Sequence, residues 1–482
     1  MQQYLYKVSV FLYNCKIFIL GSKPKLLNKS IELLIGIEKM EKRSSVQRDP
    51  NPAYTTLKDW VLKEAIPVSL DPSGAFTSPI DKIIASLDDA VELVGFGEAL
   101  HGGEDILVLR NLLFQRLVEK HGYSAIAIES SFPRARVVNE YIAGRGPVSY
   151  EEIKEVGFSH GFGSLEANRE LVEWMREYNA DPSHQVKLRF YGFDSPTEMM
   201  YADSPRQVLL FVLDYLTSID SISGNYHKTR IEPLLGNGPE WENPAAAMDP
   251  TLSVGLSPSA TELRIETKDL ISELMERRPE LVAESDESQY LGVVQYAMLA
   301  RQLLNYHGVL ARDSENRLVR LLGIRDVMMA ENLLYIVSRE RYRGKVLAFA
   351  HNSHLQRGKA HMQLGPHALT WWPAGSHLNE MFGPRYVVIG SAVGFSDDNG
   401  IIQPEHGTLE ALLGDLPGPI SFIPTHKAHG LPAPEIAALP IRSGSMKNPT
   451  YFALTSQCFT DFDWLAFLRS TSYARGGPPL HR

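Results

Sequence analysis

Two patterns of apolar residues alternate along most of the chain. Short, nearly continuous apolar runs, typical of buried strands, are followed by longer stretches with apolar residues at helical spacing. Leu109, Leu112, Leu113 and Leu117 illustrate the second pattern. Strands that alternate with helices usually pair in parallel and are covered by helices on both faces. We therefore predict an α/β fold built on a mainly parallel sheet flanked by helices.

The predicted elements cover both halves of the chain. The clearest predicted strands are Val91–Phe96, Ser124–Glu129, Val186–Phe193, Lys345–Ala350 and Tyr386–Ala392, with weaker candidates at Phe422, Phe452–Thr455 and Trp464–Phe467. Helices between and before these strands are predicted at Leu57–Ala65, Ile80–Ser86, Leu107–His121, Arg134–Ala143, Tyr150–Val156 and Leu165–Asn179.

The middle of the chain changes character and lacks a convincing strand. Its long helical patterns are Pro205–Leu216, Thr261–Arg277, Tyr290–Leu310 and Arg317–Arg339, interrupted by a predicted loop at Gly236–Pro258. We interpret residues 201–340 as a large helical insertion that covers the carboxyl edge of the sheet. The catalytic α/β domain would then be formed by residues 49–200 and 341–482.

Charge and composition narrow the class of protein. The 482 residues carry a formal net charge of −9, and the basic first 48 residues leave the rest more acidic still. An acidic body argues against binding to a phosphate backbone, so we expect no nucleic-acid partner. The two cysteines, Cys15 and Cys458, exclude a disulfide framework.

The N-terminal stretch has few features of a membrane or export signal. The apolar run of residues 8–20 is interrupted by Asn14 and Lys16 and is too short to span a bilayer. It also lacks the cleavage site of a secretory signal. We predict a disordered tail over residues 1–48, with Met40 as a possible true start, and a cytoplasmic protein without membrane contact.

Four predicted strands end in titratable residues. Val91–Phe96 leads into Glu98 and His101, and the other three strands end at Glu129, Asp194 and His351. Parallel strands bring their carboxyl ends to the same edge of a sheet, where open α/β sheets build their sites. The four endings therefore predict one shared site.

The pair Glu98 and His101 lies in a glycine-flanked break after its strand. A glutamate bonded to an imidazole N–H fixes the tautomer and raises the basicity of the ring, as a general base near neutral pH requires. The alternative is a helix-capping carboxylate beside a surface histidine. The neighbouring glycines favour a site, because they let a ligand or backbone approach closely.

Glu129 and the segment from His351 to His354 offer further candidates. A carboxylate at the end of a buried strand is paired or protonated, so Glu129 is either a second acid or base or half of a buried ion pair with Arg110. His351 and His354 follow a strand at the start of a helix. They are candidate oxyanion donors, acid–base groups or metal ligands, unless they merely accompany helix capping by the residues between them.

A rival nucleophile lies in Gly157-Phe158-Ser159-His160-Gly161, which matches the G-x-S-x-G elbow of serine hydrolases. That elbow requires a buried strand before the serine. Here a charged helical stretch precedes Ser159, so we interpret the match as coincidental. Neither a phosphate-binding loop nor an H-E-x-x-H zinc motif nor a dinucleotide fingerprint is present in the sequence, and we predict no metal or cofactor, although metal dependence stays unresolved.

Together these motifs resemble the erythromycin esterase family. The resemblance rests on Gly97-Glu98-x-x-His101-Gly102, Arg110, Glu129, the run Ala350-His351-Asn352-Ser353-His354, the helix around Arg325 and Met329–Asn332, and the Phe462–Leu468 strand. It implies hydrolytic opening of a macrolide lactone. By the same resemblance His101 activates water, while Glu98, Arg110, Glu129, His351 and His354 form the surrounding site.

The sequence thus predicts a carboxylic-ester or lactone hydrolase that acts on a small-molecule ester or macrolide. The predicted catalytic residues are His101, Glu98, Glu129, His351, Arg110 and His354, and Asp194 and Asn352 are predicted to contact the substrate. Two alternatives remain at this point. One is a serine hydrolase that uses Ser159, and the other is a non-enzymatic module that holds a metal or haem through its histidines.

Overall fold

The computed structural model describes residues 56–71, 74–198, 201–425 and 436–480. The predicted N-terminal tail lies outside these residues. The strands are β1 Ile66–Val68, β2 Leu93–Glu98, β3 Tyr123–Ser131, β4 Arg189–Asp194, β5 Thr197–Glu198, β6 Tyr201–Ala202, β7 Lys345–His351, β8 Ala360–Leu364, β9 His367–Trp371, β10 Tyr386–Phe395, β11 Ile420–Ile423 and β12 Trp464–Ser470.

The α-helices surround these strands along the whole described chain. They are α1 Leu57–Glu64, α2 Gly74–Ala85, α3 Glu104–His121, α4 Phe132–Ile142, α5 Tyr150–Ile153, α6 Glu166–Ala180, α7 Arg206–Ile219, α8 Ser221–Ile231, α9 Gly238–Trp241, α10 Pro258–Glu276, α11 Arg278–Glu284, α12 Glu287–Leu310, α13 Arg317–Glu340, α14 Asn352–Leu355, α15 Ala374–Phe382, α16 Leu409–Gly414 and α17 Cys458–Asp461.

Eight strands form one twisted sheet in the order β1-β11-β12-β10-β2-β7-β3-β4. The six strands from β12 to β4 pair in parallel, and β11 and β1 add an antiparallel edge. The predicted fold class, a mainly parallel sheet flanked by helices, is therefore confirmed. Strands β2, β7, β3 and β4 are neighbours, so their carboxyl ends meet.

The two faces of the central strands carry side chains of different size. On one face large residues such as Ile126 and Phe349 pack against helices α3 and α6. On the other face alternate positions are alanines, among them Ala127 and Ala348, which pack against Leu333 and its neighbours on α13. Because successive strand residues point to opposite faces, the small residues let α13 lie close to the sheet.

The helical block between β6 and β7 contains no strand of the large sheet within the residues described there. Its helices α7, α10 and α12 share a separate hydrophobic core. The second half of α13 packs on the face of the sheet, whereas its first half brings Arg325 and Asp326 to the carboxyl edge. No helix in the described ranges has both the length and the apolar composition needed to cross a membrane.

Most predicted elements are confirmed with small shifts at their ends, and two predictions are wrong. The predicted strand Phe452–Thr455 is irregular in the structure, because its backbone bonds to the turn after β2 instead of to a neighbouring strand. The predicted loop Gly236–Pro258 is a series of short helical turns that begin at side-chain caps such as Asn243 and Asp249.

Candidate active site

The structure brings the four strand endings together. Glu98 at the end of β2 is the register partner of His351 at the end of β7. The backbone N–H of His351 donates to Glu129 Oε2 at 2.9 Å, which joins β7 to β3. Asp194 ends β4 and shares a guanidinium partner with Glu129. All four residues are buried at one edge of the sheet.

Glu98 and His101 form the most open part of this site. The Nδ1–H of His101 donates to Glu98 Oε1 at 2.6 Å. The His101 side chain is 28% exposed, whereas that of Glu98 is 3% exposed. Because a carboxylate only accepts, the proton is held on Nδ1, which leaves Nε2 as an acceptor. Within the described residues, His101 Nε2 has no hydrogen-bond partner.

The glycines beside this pair admit side chains of the protein itself. A Cβ on Gly97 would lie 2.3 Å from Asn352 Oδ1, and one on Gly102 would lie 2.7 Å from the ring of Tyr473. Gly102 also has a left-handed φ of +75°, which favours glycine. The glycines therefore allow a close approach, as expected, but the groups that approach them are side chains of the protein itself.

Burial and charge act in opposite directions on the pair. Burial raises the pKa of Glu98 above its usual value, although the imidazole beside it opposes the effect. Burial alone would lower the pKa of His101, but the charge and hydrogen bond of Glu98, assisted by Glu129, raise it above 6.5. His101 therefore combines a proton-accepting nitrogen with a carboxylate that stabilises its protonated form.

Five buried groups of alternating charge lie beneath the open histidine. Asp194 Oδ2 accepts from Arg325 Nη2 at 2.6 Å, and the same nitrogen donates to Glu129 Oε1 at 3.1 Å. His354 lies between Glu129 Oε1, 3.3 Å from Nε2, and Asp326 Oδ1, 2.7 Å from Nδ1. Each charge has an opposite neighbour, as burial requires.

His354 is positively charged in this arrangement. Nδ1 faces Asp326, and Nε2 lies closer to Glu129 Oε1, at 3.3 Å, than to Arg325 Nη1, at 3.5 Å. Because carboxylates only accept, both nitrogens carry protons. Burial would lower the pKa of His354, but Asp326 and Glu129 raise it to about 10. Burial would likewise raise the pKa of Glu129, but the His354 charge holds it well below 4.5. The site therefore contains a fixed cation next to the open His101.

His351 is neutral and fully engaged. Its Nε2–H donates to the backbone carbonyl of Thr450 at 2.7 Å, and its Nδ1 lies 2.7 Å from the hydroxyl of Ser353. Burial and the nearby His101 lower the pKa of His351 to about 3. The His101 and His351 rings lie with their centroids 5.2 Å apart. His351 thus lies beside His101 as a neutral neighbour, and neither of its nitrogens is free to transfer a proton.

The suggested ion pair of Glu129 with Arg110 is wrong, because Arg325 occupies that position. Arg110 instead donates from Nε and Nη2 to the side chain of Asn111, and its guanidinium lies 4.8 Å from the centre of the Phe349 ring. Burial lowers the pKa of Arg110 to about 10. Arg110, Glu98 and Glu129 line a common cavity of about 10 Å³, the size of one water molecule.

The two predicted substrate-binding residues have internal partners. Asn352 accepts from the backbone N–H of Ser391 at 3.1 Å and donates to the carbonyl of the same residue at 2.8 Å. Asp194 is completely buried against Arg325, and burial raises its pKa to about 6. Contact of Asn352 or Asp194 with a substrate stays a prediction, and this geometry gives it no support.

Sequence reasoning attached no role to several residues of the site. Arg325 and Asp326 are adjacent buried charges within the apolar pattern of α13, and that mismatch was the available signal. His160 is the one described non-glycine residue with positive φ, at 59°, and its ring stacks on Phe162. Burial and Arg325 lower the pKa of His160 to about 3. Thr450 gave no signal, since it lies in a loop remote in sequence.

Ser159 lies close to a histidine but does not form a nucleophile elbow. A short helix, α5, and a turn come directly before it instead of a strand, and its hydroxyl accepts from the backbone N–H of Ser131 at 2.9 Å. His160 Nδ1 is 2.8 Å away, and Asp194, 3.9 Å from His160, is bonded to Arg325. Ser159 is also only 2% exposed. This geometry does not favour the serine hydrolase alternative.

Metal ligation was the second alternative raised by the histidines. Across residues 56–71, 74–198, 201–425 and 436–480, no group of three or more His, Cys, Asp or Glu side chains is arranged to hold a metal ion. The imidazoles of the site bond instead to carboxylates, hydroxyls and backbone carbonyls.

Residues 118–471 match the family model described as erythromycin esterase. The chain belongs to the erythromycin esterase family. It is 24% identical over 369 residues to erythromycin esterase type II of Escherichia coli, covering 73% of this chain and 80% of that protein. It is 22% identical over 316 residues to the type I enzyme of the same species, covering 64% and 71%.

Solved structures of other proteins share the fold. A Bacillus cereus protein matches with a TM-score of 0.67 at 20% identity, covering 87% of this chain and 98% of its own. A mutant erythromycin esterase in its open conformation matches with a TM-score of 0.61 at 18% identity, covering 85% and 98%. The family-model match begins after the turn that holds Glu98 and His101, so the case for that pair rests on its own geometry.

Proposed function

We propose that this member of the erythromycin esterase family hydrolyses carboxylic esters, with the lactone of a macrolide as the substrate class. The observation that carries the proposal is the bond between His101 Nδ1 and Glu98, which leaves Nε2 as an acceptor at the open side of the site. Family membership and the names of the two Escherichia coli relatives support the substrate class.

In the proposed reaction His101 Nε2 takes a proton from water as the water oxygen attacks the ester carbonyl. Glu98 stabilises the resulting imidazolium. The carbonyl oxygen becomes an oxyanion, and the tetrahedral intermediate then expels the alkoxide, which receives the proton from His101. A lactone would give one open-chain hydroxy acid.

The fixed positive charges beneath His101 suit the oxyanion. His354 and Arg325 are cations held by buried carboxylates, so they do not need to reorient as negative charge develops. We assign oxyanion stabilisation to them, and a supporting role to Glu129, which bonds to both. Arg110 holds the side chain of Asn111 and lines the cavity beside Glu98, and His351 is a neutral neighbour of His101.

The charge of the chain agrees with a small-molecule substrate and not with nucleic acid. The formal net charge of −9 is unfavourable for nucleic acid, and we propose a cytoplasmic enzyme with a small-molecule ester as its partner and without a membrane contact. Purified protein should convert a macrolide to a ring-opened product heavier by one water, or a simple ester to the corresponding acid and alcohol. If mass spectrometry finds no such product across macrolides and simple esters, the proposal fails.

A further inference from the structure

A loop far along the chain contacts both histidines beside the open site. Thr450 Oγ1 accepts from the backbone N–H of His101 at 2.9 Å, and the carbonyl of Thr450 accepts from His351 Nε2–H at 2.7 Å. One threonine thus joins the turn after β2 to the end of β7. Its hydroxyl is separated from His101 by 349 positions in sequence, so the contact depends on the complete fold.

Asn448 orients that threonine. Asn448 Oδ1 accepts from the hydroxyl of Thr450 at 2.6 Å, so the hydroxyl oxygen keeps its lone pair for the His101 N–H. Asn448 Nδ2 donates to the carbonyl of His101 at 3.1 Å, and the N–H of Phe452 donates to the carbonyl of Ala99 at 2.7 Å. Residues 448–452 therefore bind both the donor and the acceptor of the His101 backbone.

The turn depends on such contacts because it is not closed by local capping. Gly103, the residue before α3, makes no side-chain cap, and Gly102 is in the left-handed region. The next backbone groups also bond to the C-terminal part of the chain, with Ala474 N–H donating to Gly102 O and Glu104 N–H donating to Ser472 O. Buried backbone groups need partners, and here distant segments supply them.

We infer that residues 448–452 form a clamp that positions His101 and His351 for the reaction, with Thr450 as the positioning residue. This inference rests on the proposed function. The Thr450 hydroxyl holds the His101 backbone where its ring can bond to Glu98, and the Thr450 carbonyl fixes the proton of His351 on Nε2. His351 is then a neutral neighbour that does not compete for the proton His101 takes from water.

The test compares three variants of nearly equal size. Thr450→Val removes the hydroxyl and retains the shape, while Thr450→Ser retains the hydroxyl. Thr471→Val is the matched control, because Thr471 Oγ1 accepts the backbone N–H of Asp105 at 3.1 Å, near the same turn, without touching a histidine. Thr450→Val should lower kcat about 10- to 100-fold with KM within about twofold, since a displaced base costs rate more than binding. Thr450→Ser and Thr471→Val should keep most of kcat.

A second readout does not depend on turnover. The groups that face His101 and set its titration come from four parts of the chain. They are Glu98 at the end of β2, Glu129 in β3, His351 at the end of β7 with His354 after it, and His160 with Phe162 from the loop before α6. In Thr450→Val the bond to Glu98 loosens, so the pKa of His101 should fall toward 6.5 in an NMR titration of the imidazole nitrogens. It should stay raised in Thr450→Ser and Thr471→Val.

The outcomes separate the clamp from the esterase proposal. If wild-type protein hydrolyses no ester, the proposed function fails, while the NMR titration still decides whether Thr450 positions His101. Wild-type kcat and His101 titration in Thr450→Val would overturn the clamp, as would an equal loss in Thr471→Val. Should Thr450→Val not fold by circular dichroism, Thr450→Ala replaces it, because it puts no extra methyl against the His101 backbone.

Discussion

Replacement of Glu98 by glutamine tests the proposed base more sharply than removal of His101. Glu98→Gln retains the size of the side chain and its ability to accept from His101 Nδ1–H, but it removes the negative charge 2.6 Å from the imidazole. The fold should therefore survive, whereas the imidazolium formed during the reaction loses its counter-ion. Any loss of rate then reports on charge.

The expected size follows from the geometry. Glu98 is buried, and within the described chain its side chain bonds to His101 alone, so the charge is little screened by solvent. A hydrogen bond to a charged group contributes about 1.5–3 kcal/mol. Since about 1.4 kcal/mol is a factor of ten in rate, kcat should fall about 10- to 150-fold.

The pH dependence has a defined sign. Glu98 raises the pKa of His101, so in the parent protein kcat/KM should rise with pH through a value above 6.5, where His101 loses its proton. In Glu98→Gln that rise should move to lower pH, because the neutral amide no longer favours the protonated ring. The assay is the pH profile of ester hydrolysis with both proteins.

A matched control uses another buried glutamate of the same turn. Glu104 bonds to the Arg475 side chain and backbone and does not touch a histidine. Glu104→Gln should therefore leave the pH profile unchanged. The reasoning is refuted if Glu98→Gln keeps both the parental rate and the parental pH profile, or if Glu104→Gln shifts the profile to the same extent.

Three further predictions follow from the same geometry. His101→Ala should lower kcat by about 10²–10⁴-fold with an unchanged circular dichroism spectrum, and near-parental turnover would exclude His101 as the base. Ser159→Ala should change kcat little, and mass spectrometry after treatment with a fluorophosphonate should find no adduct, whereas stoichiometric labelling of Ser159 would revive the serine mechanism. Asp326→Asn should lower the free energy of unfolding at neutral pH by about 3–5 kcal/mol, because it breaks a buried ion pair. Measured by urea unfolding, this loss should shrink as the pH rises through about 10, where His354 becomes neutral. A loss that does not vary with pH would contradict a charged His354.

The sheet and its site edge were predictable because they depend on local pattern. Each of β2, β3, β4 and β7 contains an apolar run that leads into a titratable residue at or near the end of the strand, and parallel pairing brings these residues together. The sequence therefore predicts which residues lie at the site edge, but not which residues they bond to. Short or half-exposed strands such as β1 and β8 carry no comparable apolar run and were missed.

The pairing of residues within the site could not be predicted, because the partners lie far apart in sequence. The sequence around Glu129, near the end of β3, does not indicate which arginine it meets. The partner, Arg325, is 196 positions away on a helix whose pattern predicts only packing. Arg110, nearer in sequence, was the wrong choice because its guanidinium turns toward Asn111 and Phe349. Asp326 and Thr450 likewise act through contacts that only the packed chain creates.

Those distant partners decide what each histidine of the site can do. Two carboxylates face the two nitrogens of His354 and make it a lasting cation, while a carbonyl and a hydroxyl occupy both nitrogens of His351 and keep it neutral. His101 has one carboxylate and one nitrogen without a partner in the described chain. Environments that separate the pKa values of like groups assign their chemical roles. In the proposed reaction, His101 is therefore the imidazole of these three that gains and loses a proton, while His354 supplies positive charge and His351 stays a neutral neighbour.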